Sequence, residues 1–229
     1  MTRRAWMSWS SGKDSTLALA VAREDPDLEV VGLLTTLNGA ADRVAMHAVR
    51  RELLRAQGTA LGLPVHEVDL PWPCSNEEYE SLMRAAIDAA TGQDVSRIVF
   101  GDLYLEDVRG YRERALAGTG IEPVFPLWGR PTRALAGEMV DRGIRATLTC
   151  VDPRQLDASY AGRAFDRALL ADLPPSVDPC GENGEFHTFV HDGPGFAAPL
   201  EVCTGEIVER DGFVFADVLP GSSPEAPVN

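Results

Sequence analysis

Short apolar runs alternate with helical patterns between residues 5 and 128. The run EVVGLLTTL (29–37) is typical of a buried strand, because it is dominated by Val and Leu and lies between Pro26-Asp27 and Asn38-Gly39. Four more strands are predicted in AWMSW (5–9), PVHEVDL (64–70), RIVFGDL (97–103) and EPVFPLW (122–128). Strands that alternate with helices pair in parallel through right-handed crossovers. The sequence therefore predicts an α/β fold with a doubly wound, five-stranded parallel sheet.

Helices are predicted between these strands, at 15–24, 76–90 and 106–117. A longer helix is expected from about Asp42, because apolar residues follow one another there at three- and four-residue spacing: Met46, Val49, Leu53, Ala56 and Ala60. His47 falls early in that helix, where it either belongs to the core or lines a cleft.

The pattern changes after about Pro131. A helix (133–142) and the strand RATLTCV (145–151) are predicted, and this strand could still belong to the first sheet. Residues 174–196 are rich in Pro, Gly and acidic residues and are expected to be irregular, whereas Asp211-Gly212 predicts a β-hairpin. We expect two domains, 1–131 and a smaller α+β domain at 132–229, whose last nine residues form a frayed tail.

Charge and cysteine content limit the classes of partner. The chain has 21 basic and 35 acidic side chains and a formal net charge of −14. Nucleic acid is not an expected partner, because broad binding to it depends on many Lys and Arg contacts with phosphates. The four cysteines form no C-x-x-C pair, which argues against a zinc cage or a disulfide framework. No segment approaches the roughly 18 apolar residues of a membrane span, and we expect a soluble, cytoplasmic protein.

Lys13 is the only lysine of the chain, and it lies in the turn WSSGKDS (9–15) between the first strand and the first helix. In a doubly wound sheet this turn usually presents the phosphate site, because free N–H groups and the positive end of the helix dipole attract an oxyanion. We interpret the turn as an anion-binding loop made of Ser10, Ser11, Gly12, Lys13, Asp14 and Ser15. Lys13 would add a positive charge, and Asp14 would hold Mg²⁺. The alternative is an ordinary helix N-cap.

The loop is not a Walker A motif, which requires G-x-x-x-x-G-K-[ST]. It resembles the S-G-G-x-D-S loop (PP-loop) of the N-type ATP pyrophosphatases, the adenine nucleotide alpha-hydrolase-like group. Those enzymes split ATP between its α- and β-phosphates and release pyrophosphate into this loop. The chain departs from that pattern at Ser11, where glycine is usual. A serine there costs about 1 kcal/mol if the position needs a positive φ.

Three further segments extend the resemblance: FGDLYLEDVRGYRE (100–113), FPLW (125–128) and CGENGEFHTFV (180–190). Together they resemble the diphthine–ammonia ligase family over nearly the whole chain. In that family the last segment belongs to the second domain and lines the cleft opposite the nucleotide. The resemblance therefore makes five residues candidates for catalysis or for binding a second substrate: Glu182, Asn183, Glu185, His187 and Thr188. The alternative is a polar, glycine-rich loop in which His187 is merely hydrogen-bonded.

Residues at two other strand ends are candidates for the nucleotide site. Thr35 and Thr36 either contact adenine or are plain strand residues. Gly101 would allow close approach of the nucleotide and Asp102 would bind ribose or metal, unless the two form a simple turn. Four charged residues just beyond either form a solvated helix face or border the cleft: Glu106, Asp107, Arg109 and Arg112.

The resemblance implies an enzyme that uses ATP and Mg²⁺ to adenylate a carboxylate, which ammonia then converts to an amide with release of AMP and pyrophosphate. Thr2, not cysteine, follows Met1, so we expect free ammonia or a separate glutaminase. The carboxylate is a small molecule or is borne by a protein, and a homodimer is left open. Another PP-loop adenylating enzyme is a rival, although a transfer-RNA thiolase would need a cysteine pair and a basic surface. A non-catalytic adenine-nucleotide sensor is the other alternative.

Overall fold

A mostly parallel sheet forms the N-terminal part of the computed structural model, which describes residues 2–44 and 48–221. Within these ranges its strands are β1 (Arg3–Ser8), β2 (Leu28–Asn38), β3 (Arg43–Val44), β4 (Val65–Leu70), β5 (Val95–Val99) and β6 (Glu122–Val124). Five run parallel in the order β4-β2-β1-β5-β6, and β3 pairs antiparallel with the end of β2. The predicted five-stranded parallel sheet is confirmed.

Helices cover both faces of this sheet: α1 (Lys13–Glu24), α2 (Arg51–Leu61), α3 (Asn76–Thr91) and α4 (Glu106–Leu116). Successive strand residues point to opposite faces, so neighbours on β2 enter different cores. Leu33 packs in one apolar cluster with Leu17 of α1, whereas Leu34 packs in another with Ile87 of α3 and Leu116 of α4. The sheet is therefore doubly wound, as predicted.

The strand order reverses between β1 and β5, which are neighbours in the centre of the sheet. In open α/β sheets, ligands bind in the crevice beyond the carboxyl ends of the strands at such a reversal. The loop that follows β1 and the residues that follow β5 both lie at this edge.

The C-terminal part of the chain forms a second, antiparallel sheet. Its strands β7 (Arg145–Val151), β8 (Phe186–Asp192), β9 (Val202–Arg210) and β10 (Phe213–Pro220) lie in the order β8-β7-β10-β9, with helices α5 (Thr132–Asp141) and α6 (Arg167–Asp172) beside them. The strand at 145–151, which the sequence left open, belongs to this sheet. The predicted hairpin is confirmed: Asp211 and Gly212 join β9 to β10 with φ of 52° and 80°, the left-handed region that such a turn requires.

Two segments differ from the sequence prediction. The helix expected from about Asp42 begins only at Arg51, because β3 is extended and Ala48 has a φ of 55°, which an α-helix does not accommodate. Residues 174–196, expected to be irregular, contain β8, which pairs with β7. Residues 45–47, which include His47, and residues 222–229 of the expected tail lie outside the described residues. Within the described ranges, no helix is both long and apolar enough to cross a bilayer.

Candidate functional site

The loop from Ser10 to Ser15 connects the central strand β1 to the start of α1. Gly12 is the N-cap residue and supplies no side-chain cap, so the first-turn N–H groups of α1 form an anion-attracting helix end. Gly101 packs directly on this loop: a Cβ there would lie 3.0 Å from the Ser15 nitrogen and 3.1 Å from the Asp14 carbonyl carbon. Any larger residue at Gly101 would displace the loop backbone. The immediate neighbour of Gly101 is thus the loop, where the sequence suggested a nucleotide.

Ser11 adopts the left-handed conformation that its position in the motif suggested, with a φ of 68°. Its side chain is fully buried, and its hydroxyl has no hydrogen-bond partner among the described residues. Its carbonyl oxygen accepts hydrogen bonds from the Val190 N–H at 2.9 Å and from Nε2 of Gln57 at 3.2 Å. The strained residue is therefore held by groups from β8 and α2.

The two other serines of the loop form a short hydroxyl chain. Oγ of Ser10 lies 3.2 Å from Oγ of Ser15, to which it donates, and Oγ of Ser15 donates to the Gly12 carbonyl at 2.9 Å. Ser10 also lines the neighbouring cavity, so its hydroxyl is the member of this chain that a ligand reaches first.

The Lys13 side chain is 2% exposed and turns toward the second sheet. Its ammonium donates to Oδ2 of Asp14 at 2.9 Å and to the carbonyl of Cys180, and it lies 5.0 Å from the centre of the Phe186 ring. Burial would lower the pKa of Lys13, but its neighbours, first Asp14 and then Cys180 and Glu182, together outweigh burial and the pKa is raised. The ammonium thus ties the loop to the segment before β8, where we had expected it to face a phosphate.

Carboxylates crowd around this single ammonium. Oδ1 of Asp14 is buried and has no hydrogen-bond partner among the described residues. Burial raises the pKa of Asp102, and its nearest cation is Nε of Arg112 at 3.6 Å from Oδ2. Burial, together with Asp14, raises the pKa of Glu182 to about 7. The cluster has more negative than positive groups, so it favours a cation or a proton.

A cavity of about 410 Å³ opens beside the loop, between the carboxyl ends of the central strands and helices α3 and α4. Its apolar wall includes Leu34, Ile98 and Phe100, and its polar lining includes Ser10, Thr36, Arg112 and His187. Thr35 does not line it, because this threonine is buried and its hydroxyl donates to the Trp9 carbonyl at 2.9 Å. Of the two neighbouring threonines, Thr36 therefore lines the cavity, whereas Thr35 bonds to the protein backbone.

Charged residues of α4 also differ in their surroundings. Arg112 lines the cavity and lies over the Phe100 ring at 5.1 Å. Arg109 instead bonds to Glu113 and lies 4.7 Å from the Trp128 ring centre. Glu106 and Asp107 are exposed.

Strand β8 brings the second sheet to the loop. His187 lines the cavity, and Oγ1 of the buried Thr188 accepts a hydrogen bond from the Lys13 N–H at 3.1 Å. Two residues further on, the Val190 N–H reaches the Ser11 carbonyl. The sequence predicted a loop for these residues, but they lie on the strand β8.

Glu182 and Glu185 have different surroundings. Oε1 of Glu182 accepts a hydrogen bond from the Leu103 N–H at 2.8 Å, which joins the segment before β8 to the residues after β5. Glu185 is buried and accepts three hydrogen bonds from its own segment: the Asp178 N–H at 2.9 Å, the Asn183 N–H at 2.9 Å and Nδ2 of Asn183 at 3.0 Å. Its carboxylate shapes this loop and does not line the cavity, contrary to our expectation.

Several residues at the site were not predicted from the sequence. Oδ2 of Asp178 accepts a hydrogen bond from the Tyr104 hydroxyl at 2.9 Å, and that hydroxyl also lies 2.9 Å from Oδ1 of Asn183. Gln57 is fully buried beneath the loop. The signal that could have identified Gln57 is its position as a polar residue on the buried face of α2, among Leu53, Leu54 and Leu61.

These features define an α/β protein with a doubly wound sheet, a helix-end loop at its switch point and a second, antiparallel sheet against that loop. Residues 3–123 match the model of the diphthamide synthase N-terminal domain, and residues 131–217 match that of the diphthamide synthase C-terminal domain. The chain belongs to the diphthamide synthase family. The family predicted from the sequence is confirmed.

Curated relatives carry the name diphthine–ammonia ligase. The relatives from Bos taurus and Homo sapiens are each 28% identical over 150 residues, which cover 63% of this chain and 56% of the relative. The relative from Danio rerio is 26% identical over 174 residues, covering 69% of this chain and 68% of the relative. The chain thus spans little more than half the length of the bovine and human proteins it matches.

Proposed function

We propose that this chain is an ATP-dependent ligase that adenylates a carboxylate and passes the acyl group to ammonia, forming an amide, AMP and pyrophosphate. The observation that carries the proposal is the helix-end loop after β1, which lies beside the cavity lined by Ser10, Thr36 and His187. Family membership and the names of the relatives support the same reaction. We also propose that residues 1–131 bind the nucleotide and that 132–229 form the substrate domain.

ATP fits this edge of the sheet by its chemistry. The β- and γ-phosphates would accept hydrogen bonds from Ser10 and from first-turn N–H groups of α1 other than that of Lys13, which donates to Thr188. The helix dipole favours negative charge there. The apolar wall of the cavity suits adenine, and Thr36 offers it a hydroxyl. Asp102 follows β5 and would bind ribose. The α-phosphate then lies between the loop and the substrate domain.

The residues at the loop fit Mg²⁺. No group of three or more His, Cys, Asp or Glu side chains within the described ranges is arranged to hold a metal alone. Mg²⁺ needs less from the protein, because it usually binds through one or two carboxylates together with substrate phosphates. Asp14 offers a buried oxygen, Oδ1, that has no hydrogen-bond partner in the described part of the chain. Mg²⁺ held there would neutralise charge on the departing pyrophosphate.

The reaction then needs two displacements. A carboxylate oxygen of the substrate attacks the α-phosphorus of ATP, and pyrophosphate leaves with the bonding electron pair. Ammonia attacks the carbonyl carbon of the acyl-adenylate, AMP leaves, and one proton is released. We assign that proton to Glu182, because a carboxyl with a pKa of about 7 is partly ionised at neutral pH and can accept it. His187, which lines the cavity beside the loop, would contact the acyl group.

Lys13 and Glu185 enter this proposal as positioning residues. The ammonium of Lys13 joins the loop to Cys180, and Glu185 fixes the fold of the segment that carries Glu182. Neither side chain needs to touch ATP for its loss to disturb the site. This assignment replaces the direct catalytic roles that the sequence suggested for both.

Product analysis tests the proposal. The protein is incubated with ATP, Mg²⁺, ammonium and a diphthine-bearing protein, and with a panel of small carboxylates in parallel. We expect AMP and pyrophosphate in equal amounts, and a hydroxamate when hydroxylamine replaces ammonium. ADP and phosphate as the main products would refute the proposal.

A nucleotide sensor without chemistry is the second candidate. One observation favours it: the charged groups of Lys13 and Glu185 are both occupied by protein partners. A sensor would bind ATP and release no pyrophosphate with any carboxylate of the panel, so the same experiment decides between the two.

A further inference from the structure

Gln57 lies beneath the anion-binding loop and uses every polar atom of its side chain. Its Oε1 accepts a hydrogen bond from Nε1 of Trp9 at 2.8 Å. Its Nε2 donates to the Val190 carbonyl at 2.6 Å and to the Ser11 carbonyl at 3.2 Å. The side chain is fully buried, so water does not compete for these bonds. One amide therefore joins β1, the loop and β8.

The conformation of Ser11 explains why such support is needed. A residue other than glycine with a φ of 68° is strained, and strained residues persist only where the surrounding contacts over-determine them. The Ser11 carbonyl has two donors, the Val190 N–H and Gln57. Together they fix the Ser11–Gly12 peptide, and with it the direction of the N–H groups at the start of α1.

We propose that Gln57 is a positioning residue for pyrophosphate and ATP binding, acting through the peptide of Ser11. The inference rests on the proposed function, because it assigns Gln57 to the phosphate end of that site. Gln57 itself touches no ligand. Its Trp9 contact fixes which end of the amide faces the loop, so that Nε2 and not Oε1 meets the two carbonyls.

A double-mutant cycle tests the inference, since coupling between two residues appears as non-additivity. The variants are Gln57→Met, Ser11→Gly and the pair, and pyrophosphate and ATP·Mg²⁺ are the probes in calorimetry. We expect Gln57→Met to weaken pyrophosphate binding at least tenfold. In the Ser11→Gly background the same change should weaken it only two- to threefold, because glycine adopts a φ of 68° without support. Equal losses in the two backgrounds would overturn the inference.

Two comparisons separate positioning from general loss of stability. Leu54→Ala, a buried change in the same helix, should lower the melting temperature and leave pyrophosphate affinity within twofold. An affinity loss in Leu54→Ala equal to that of Gln57→Met would refute the inference. Trp9→Phe is a milder variant, usable if Gln57→Met does not fold, and its affinity loss should also shrink in Ser11→Gly. If the parent protein binds neither probe, the proposed function fails and the inference falls with it; binding without coupling refutes the inference alone.

Discussion

Replacing Ser11 by glycine should stabilise the protein, although the residue lies at the centre of the proposed site. The change removes two unfavourable features: a non-glycine residue in the left-handed region, and a buried hydroxyl that lacks a hydrogen-bond partner within residues 2–44 and 48–221. The first costs about 1–2 kcal/mol and the second about 1–3 kcal/mol. Two effects oppose this gain. Glycine gives the unfolded chain more conformational freedom, which destabilises the folded state by about 0.4–1 kcal/mol. The lost packing of the Cβ costs about 0.8 kcal/mol more.

Together these figures favour Ser11→Gly by about 0.2–3.8 kcal/mol in the free energy of unfolding, and we expect a value near the middle of that range, about 2 kcal/mol. For a chain of this size that corresponds to about 2–4 °C in melting temperature per kcal/mol. Urea denaturation at constant pH measures it, and an unchanged m-value shows that the denatured state is comparable.

Ser11→Ala is the matched control, because it removes the hydroxyl and keeps the Cβ that causes the strain. We expect it to be more stable than the parent by about 1–3 kcal/mol, the cost of the buried hydroxyl. It should lie within about 1 kcal/mol of Ser11→Gly, because the strain that glycine relieves is nearly offset by the freedom of its unfolded chain and the lost packing of the Cβ. The reasoning is refuted if either variant is no more stable than the parent.

Four further outcomes are expected. Lys13→Met should abolish ATP turnover and also destabilise the fold by about 3 kcal/mol, because it leaves a buried carboxylate without its cation; unchanged stability in a melting experiment would contradict the observed burial. Glu182→Gln should cut amide formation by about two orders of magnitude and remove the rise in rate through pH 7 that the raised pKa of Glu182 predicts. Glu185→Gln should cost about 1–3 kcal/mol, since an amide nitrogen would face N–H donors, but should keep the pH profile of the parent; a flattened profile would make Glu185 the base instead. Chelation of Mg²⁺ should weaken ATP binding at least tenfold by calorimetry, and equal affinity in its absence would exclude Asp14 as a metal ligand.

The raised pKa of Glu182 also determines the direction in which its contribution to the free energy of unfolding changes with pH. Because the pKa in the folded protein lies above the ordinary glutamate value, the folded state binds this proton more tightly than the unfolded chain. The contribution of Glu182 to stability is therefore present at acid pH and is lost as the pH rises toward 7. In Glu182→Gln this part of the pH dependence should disappear.

The parallel sheet could be predicted from the sequence because its signals are local. Continuous apolar runs such as 29–37, bounded by turn residues, need no knowledge of distant neighbours. The hairpin at Asp211-Gly212 is local in the same way. Strand β8 was missed because Gly181, Gly184 and Pro194 surround it, so its composition is that of a loop. Its pairing with β7, across more than 30 residues, decides its structure.

The structure brings several of the predicted site residues close together, but their individual contacts could not be predicted from the sequence. The loop motif located Lys13 at a helix end, as observed. The partner of its ammonium, the Cys180 carbonyl, lies 167 residues away. For Glu185, the sequence showed an acid after Gly184 and could not show the three N–H groups around it. Such orientations follow from tertiary packing, which overrides local pattern.

The geometry makes the two sheets a single functional unit. The loop at the end of β1 is bonded to β8 through the Ser11 carbonyl and the Lys13 N–H, and the segment before β8 is bonded to Leu103 through Glu182. A shift of the second sheet would therefore change the orientation of the N–H groups at the start of α1. Binding of pyrophosphate at those groups must, by the reciprocity of linked equilibria, favour the same placement of the second sheet. In the proposed reaction, binding at the phosphate end of the site would therefore favour the placement of Glu182, the carboxyl proposed as the base for ammonia.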